Sequence, residues 1–69
     1  MEMPKLIRTE EWEGYDIKDL KVFFEPVGKW LEFNNWFHGK TGGITEDGKF
    51  CVYKHDFDKF CDHIGLSIG

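Results

Sequence analysis

Two cysteines and three histidines carry the side chains that most often bind metals in proteins. Cys51, His55 and Cys61 stand in one short stretch, and thiolate and imidazole are the ligands that tetrahedral zinc prefers. The stretch lacks the close cysteine pair of a structural zinc site, and on a helix Cys61 and His63 would lie roughly 200° apart. We therefore expect no metal and no cofactor. A zinc-stapled binding module that uses Cys51, His55 and Cys61 is the alternative.

The same residue types could form a thiol-dependent or acid–base catalytic site. Either cysteine could act as a nucleophile with a histidine as its base, and Asp56, Asp58 and Asp62 could supply carboxylates. No neighbouring residue marks a thiol as activated, and a short chain leaves little room for a concave pocket. We expect a protein without enzymatic activity and keep a minimal enzyme as a less favoured alternative.

Gly39, Lys40 and Thr41 match the last three positions of a phosphate-binding loop. Such a loop needs a glycine five residues before its second glycine, where this chain has Asn34, and it precedes a helix. Here the three residues follow a predicted helix. We interpret Gly39 as the helix terminator and Lys40 as a cation near the last helical carbonyls.

Large aromatic side chains make up 17% of the residues, more than a minimal core obviously needs. Tryptophan and tyrosine are enriched at the centres of protein interfaces, so Trp12 and Trp36 could anchor a partner or close the core. Lys40 and Thr41 are expected to be exposed beside the second of these. We predict a protein-interaction or regulatory module that binds an unidentified protein through Trp12, Trp36, Lys40 and Thr41.

Size and charge restrict the classes of protein that are compatible with this sequence. A chain of 69 residues holds one core, so residues 1–69 should form a single domain. The excess of 13 Asp and Glu over 9 Lys and Arg gives a net charge of -4, which disfavours a nucleic-acid partner. The first residues, Met1 to Pro4, lack the basic and apolar regions that are typical of a secretory signal, and no apolar run of this sequence reaches the roughly 20 residues that span a bilayer. We expect a cytoplasmic protein without a membrane partner.

A helix over residues 56–64 is the most clearly predicted element. Asp56 suits its N-cap, and Gly65 suits the left-handed position after its last turn. Between them, apolar side chains recur with helical spacing at Phe57, Phe60, Cys61 and Ile64.

A second helix is predicted over residues 26–38, with Pro26 in its first turn and Gly39 after its end. Its apolar side chains cover more than one face of the helix. Either two elements of the fold pack on it or a second copy of the chain does. This surplus predicts self-association as a homodimer through the aromatic helix.

A β-hairpin is predicted over residues 41–54, because Asp47-Gly48 is the strongest short hairpin signal in the chain. A two-residue type I′ turn at these positions would place Glu46 opposite Lys49.

The first third of the chain is harder to interpret. Residues 20–24 alternate like a strand, although a helix capped by Asp16 is the other possibility. Residues 1–11 are expected to form a loosely ordered arm or an edge strand. Together these elements predict an α+β fold in which a small antiparallel sheet of two to four strands packs against two short helices.

The second half of the chain also carries a recurrent pattern of residues. The pattern comprises Phe33, the run from Trp36 to Thr41, Gly48, Val52, Tyr53, Asp56 and Phe60. It resembles a group of small proteins from archaea, bacteria and their viruses that have an aromatic helix ending in Gly-Gln-Thr, a hairpin, and a Tyr-x-x-Asp-x-x-Arg-Phe helix. Here Lys40 replaces the glutamine and Lys59 the arginine. The resemblance implies a shared fold and a viral or mobile-element origin, and it implies no activity.

Overall fold

The computed structural model of the protein describes residues 3–66. Four strands form one antiparallel sheet, and three helices complete the described part of the chain. The elements are β1 (Ile7–Arg8), β2 (Glu13–Asp16), α1 (Ile17–Phe24), α2 (Trp30–Phe37), β3 (Gly43–Ile44), β4 (Phe50–Tyr53) and α3 (Lys54–His63). The strands lie in the order β1-β2-β4-β3, which confirms the predicted α+β class.

The strand predicted over residues 20–24 is wrong, because this segment belongs to helix α1. Leu20, Phe23 and Phe24 are the buried residues of this helix, and their spacing of three and four places them on one helical face. Asp16 caps the helix, since its Oδ1 accepts a hydrogen bond from the Lys18 amide at 2.9 Å. The alternative of a helix capped by Asp16 is therefore correct, and it adds a third helix to the predicted two.

The hairpin is confirmed, but its turn is not the predicted type I′. That turn needs a positive φ at both central residues, whereas only Gly48 has one, at 86°. The Thr45 amide donates to the Lys49 carbonyl at 3.0 Å, so these two residues close the loop. Lys49 therefore does not face Glu46, and its Nζ lies 3.8 Å from Oδ2 of Asp47 instead.

Helix α2 begins later than predicted. Residues after Phe24 close the end of α1, where the Lys29 amide donates to the Phe24 carbonyl at 3.0 Å and Gly28 adopts a φ of 71°. Pro26 therefore lies in the connection rather than in the first turn of α2. The predicted terminator is confirmed, since Gly39 has a φ of 85° just beyond the helix.

Helix α3 begins at Lys54, two residues before the predicted start, because β4 leads into it without a loop. Tyr53 is the N-cap residue, and Asp56 lies in the first turn instead, where its negative charge is favourable. At the other end Gly65 has a φ of 72°, and the Leu66 amide donates to the Cys61 carbonyl at 2.8 Å. The predicted glycine terminator is thus confirmed.

The core lies between the sheet and the three helices. Phe33 of α2 is fully buried, and its ring packs against Phe24 and Phe60 at centroid distances of 5.0 and 5.1 Å. Trp30, Trp36 and Phe37 pack on the same cluster, which accounts for most of the apolar surplus of α2. The buried cluster consists of Tyr15, Leu20, Phe23, Phe24, Phe33, Val52, Phe57, Phe60 and Cys61.

One edge of the sheet is formed by the N-terminal segment, and β3 forms the other. Ile7 and Arg8 pair with Gly14 and Glu13, so this part of the predicted arm is an edge strand. Residues 1 and 2 lie outside the described range. Among residues 3–66 there is no helix with the length and apolar character needed to cross a membrane.

Candidate partner-binding surface

The pleat of the sheet decides which side chains lie on the face away from the helices. Tyr15 and Val52 are paired across β2 and β4, and both belong to the buried cluster. Side chains of successive residues in a strand point to opposite faces. The flanking pairs, Gly14 with Tyr53 and Asp16 with Cys51, therefore lie on the opposite face, which we call the outer face.

Trp12 lies across this outer face. A Cβ atom at Gly43 would overlap the Trp12 indole, and one at Gly14 would lie 3.3 Å from its Cζ3 atom. Gly43 pairs with Cys51, so it belongs to the same face. The two glycines thus provide a flat floor on which the half-buried indole rests.

The turn between β1 and β2 fixes the backbone at Trp12. The Thr9 hydroxyl donates to the Trp12 carbonyl at 2.9 Å, and it accepts from the amides of Glu11 and Trp12 at 3.2 and 3.0 Å. The Thr9 amide also donates to the Trp12 carbonyl at 2.9 Å. These bonds fix the backbone from which the Trp12 side chain extends.

Trp12 and Tyr53 form two walls of an open depression beside the outer face. Their ring centroids lie 5.9 Å apart with an angle of 67° between the ring planes. His55, whose side chain is 72% exposed, stacks on Tyr53 at 5.5 Å. The depression has a volume of about 570 Å³ and is lined by Glu11, Trp12, Glu13, Tyr53, Lys54, His55 and Asp58.

Carboxylates outnumber cations in this depression. Lys54 Nζ lies 2.8 Å from Oδ2 of Asp58, and this hydrogen bond and charge raise the pKa of Lys54. Glu13 lies 3.4 Å from the Arg8 guanidinium. Glu11 is exposed and has no ion pair among the residues that the structure describes. The depression therefore combines two aromatic walls with a negative rim.

Only one of the four residues predicted to bind a partner lies in this depression. Trp36 lies on the helical side of the sheet, where it packs on Phe60 at 5.4 Å. The Lys40 ammonium lies 4.7 Å from the centroid of a Trp36 ring, which is cation–π geometry, and Thr41 is exposed nearby in sequence. The structure thus places Trp12 on the outer face and Trp36 with the core, with the sheet between them.

The residues of the alternative zinc site are not brought together. Cys51 lies on the outer face and Cys61 in the core cluster, while His55 is exposed beside Tyr53. Within residues 3–66 no three histidine, cysteine or acidic side chains converge on a possible metal position. Burial raises the pKa of Cys61 to about 11, with the charge of Asp58 as a smaller cause, and burial also raises the pKa of Cys51. Both thiols are therefore protonated at neutral pH.

Sequence reasoning missed Tyr53, Thr9 and the two glycines of the floor as parts of a site. A glycine inside a predicted strand is a sign of close backbone approach, and Gly43 gave that signal. The sequence does not show that the Trp12 indole is the group that approaches Gly43, because the two residues are far apart along the chain.

Comparison of the chain with models of protein families, with curated proteins and with solved structures found no match. Support for a function of this protein therefore comes from the geometry of the described residues.

Proposed function

We propose that this protein is a non-enzymatic protein-interaction module and that Trp12 and Tyr53 anchor its partner in the depression beside the outer face. The observation that carries the proposal is the pair of half-buried rings, 5.9 Å apart, that form walls of an open cavity. Truncation of such an aromatic anchor typically weakens binding by about 2 kcal/mol or more.

The fixed position of Trp12 supports this proposal. Binding a partner is opposed by the entropy lost when interface side chains become ordered. The Thr9 hydrogen bonds and the glycine floor already restrict Trp12 in the free protein. Trp12 would therefore lose little side-chain entropy on binding, and less of the free energy gained by burying its ring would be offset.

Trp36, Lys40 and Thr41 stay candidates for a second contact. Trp36 contacts Phe33 and Phe60 of the core, so part of its apolar area is already removed from water. Tyr53 replaces it as the proposed second anchor, because its ring lines the cavity.

Protonation of the two thiols supports the proposal that neither cysteine is a catalytic nucleophile. A nucleophilic cysteine acts as the thiolate, and the raised pKa of Cys61, about 11, opposes that form at neutral pH. The two free cysteines also favour a cytoplasmic location, where thiols stay reduced. A viral or mobile-element origin is proposed from the resemblance described above.

Affinity capture from a lysate of the organism that encodes the protein tests the proposed function. The bait proteins are the natural chain, Trp12→Leu, Tyr53→Leu and Leu31→Ser, with folding checked by circular dichroism. Leu31 is 73% exposed on α2 and serves as a matched apolar control outside the depression.

We expect the natural chain and Leu31→Ser to retain the same protein, and both depression variants to lose it, since loss of one anchor weakens binding by about thirtyfold or more. Equal retention of that protein by folded Trp12→Leu and Tyr53→Leu, or capture of nothing by the natural chain, would overturn the proposal.

A further inference from the structure

We propose that the depression binds a cationic side chain, an arginine or lysine that a basic segment of the partner protein presents. This inference rests on the proposed function and names the chemistry of the ligand at the same site.

The aromatic walls provide the first reason. A cation is attracted to the face of an aromatic ring within about 6 Å of its centroid, and tryptophan gives the strongest such interaction. The rings of Trp12 and Tyr53 meet at 67°, so a side chain entering the corner between them contacts both.

The charges around the corner provide the second reason. Among the described residues, the carboxylates of Glu11, Glu13 and Asp58 line the depression together with one lysine, Lys54, and the imidazole of His55. The short contact of Lys54 with Asp58 already pairs that cation, at 2.8 Å. An incoming guanidinium or ammonium group would meet the carboxylate of Glu11, which has no other ion pair among residues 3–66. An anionic ligand would instead be repelled.

The size of the cavity and the overall charge agree with a protein segment as the source of the cation. The depression has a volume of about 570 Å³ and is open to solvent, so a side chain can enter it while the backbone that carries the side chain stays outside. The net charge of -4 attracts a basic segment at long range and accelerates encounter.

Nuclear magnetic resonance titration of the isotope-labelled full chain tests this inference. The probe is a synthetic peptide of alternating arginine and glycine. The matched ligand is the same peptide with citrulline in place of arginine, because citrulline keeps the shape of the side chain and removes its charge. The indole N–H signals of Trp30 and Trp36 are internal controls for that of Trp12, since neither residue lines the depression.

We expect the arginine peptide to shift the Trp12 indole signal and the Tyr53 amide signal, and the citrulline peptide to leave both unchanged. Glu11→Lys should weaken binding by about tenfold, as expected for loss and reversal of a close charge. Glu25→Lys makes the same charge change at an exposed position at the end of α1 and should bind like the natural chain.

Equal binding of the citrulline peptide, an unshifted Trp12 signal at saturation, or equal weakening by both lysine substitutions would overturn the inference. These outcomes are separate from failure of the proposed function. If Trp12→Leu loses the captured protein while the arginine peptide does not bind the natural chain, the depression is a binding site of another chemistry. If folded Trp12→Leu keeps that protein, the proposed function itself is wrong.

Discussion

At the scale of single residues, the contact between Trp12 and Gly43 is the feature on which the depression depends. The indole occupies the space that a side chain at Gly43 would take, and the backbone of Gly43 has no positive φ that would require glycine. The requirement for glycine here is therefore set by the approach of the indole and not by backbone conformation.

This contact leads to a prediction for the Gly43→Ala variant. The added methyl group must displace the indole, which we expect to destabilise the fold by about 1–3 kcal/mol, in the range of overpacking substitutions. In a Trp12→Ala background the same substitution should have an effect below about 0.5 kcal/mol, because the space is then empty. Urea unfolding of the four proteins in this cycle measures the coupling. Equal effects of Gly43→Ala in the two backgrounds would show that the indole does not rest on Gly43.

Residue type alone identified part of the proposed site. Trp12 could be selected from residue type alone, because tryptophan combines large apolar area with a polar N–H group. Tyr53 belongs to the same aromatic surplus but was not selected, because its place beside Trp12 depends on the β2–β4 pairing. Thr9 could not be selected from residue type, since its role depends on the turn before β2. Trp36 was selected for the same reason as Trp12, and the structure packs it on the core cluster.

At the scale of elements, α2 shows how an apolar surplus is used. The helix is short, yet it presents Phe33 to the centre of the core and three more aromatic side chains to its rim. The exposed large apolar side chain of the helix is Leu31. The apolar area that α2 exposes for self-association is therefore smaller than the sequence indicates. Homodimer formation through this helix stays a prediction.

The two faces of α2 should respond differently to substitution. Phe33→Leu leaves space beside Phe24 and Phe60, so we expect it to lower the free energy of unfolding by about 1–3 kcal/mol. Leu31→Ala removes a similar amount of side chain from an exposed position and should change stability by less than about 0.5 kcal/mol. Thermal or urea unfolding monitored by circular dichroism compares them. A larger effect at Leu31 than at Phe33 would mean that the helix packs through its other face.

The elements that were predicted correctly are those in which periodicity and terminal residues agree. In α3, helical spacing of apolar residues ends at a glycine that adopts the left-handed conformation. In residues 20–24 the signals conflict, because Leu20, Val22 and Phe24 alternate while Leu20, Phe23 and Phe24 have helical spacing. Burial of Leu20, Phe23 and Phe24 with Val22 exposed shows that the helical pattern is the one the core uses.

The position of the turn was predicted correctly, but the predicted type I′ geometry is wrong. Asp47-Gly48 marks a reversal of the chain in any hairpin, whereas the loop length depends on which residues pair across β3 and β4. The Ile44–Phe50 and Gly43–Cys51 pairs set that register, and the loop closes between Thr45 and Lys49. A local sequence signal does not contain this information, because the register is a property of the whole sheet.

At the scale of the whole molecule, the sheet separates the core cluster from the outer face beside which we propose the binding site. The helical side contains the buried core cluster, which stabilises a chain of only 69 residues. The other side holds Trp12 on its glycine floor with the acidic depression beside it. A substitution in the depression therefore removes no residue of the core cluster, so the proposed binding can be tested with the core intact.

The most direct test of this account is to map the bound surface with the protein recovered by affinity capture. Nuclear magnetic resonance spectra of the isotope-labelled chain, recorded with and without that protein, show which amides and indoles are affected. The account predicts that the largest shifts fall at Trp12, Gly14, Gly43 and Tyr53. Shifts confined to Trp36, Lys40 and Thr41, with the Trp12 indole unchanged, would contradict it.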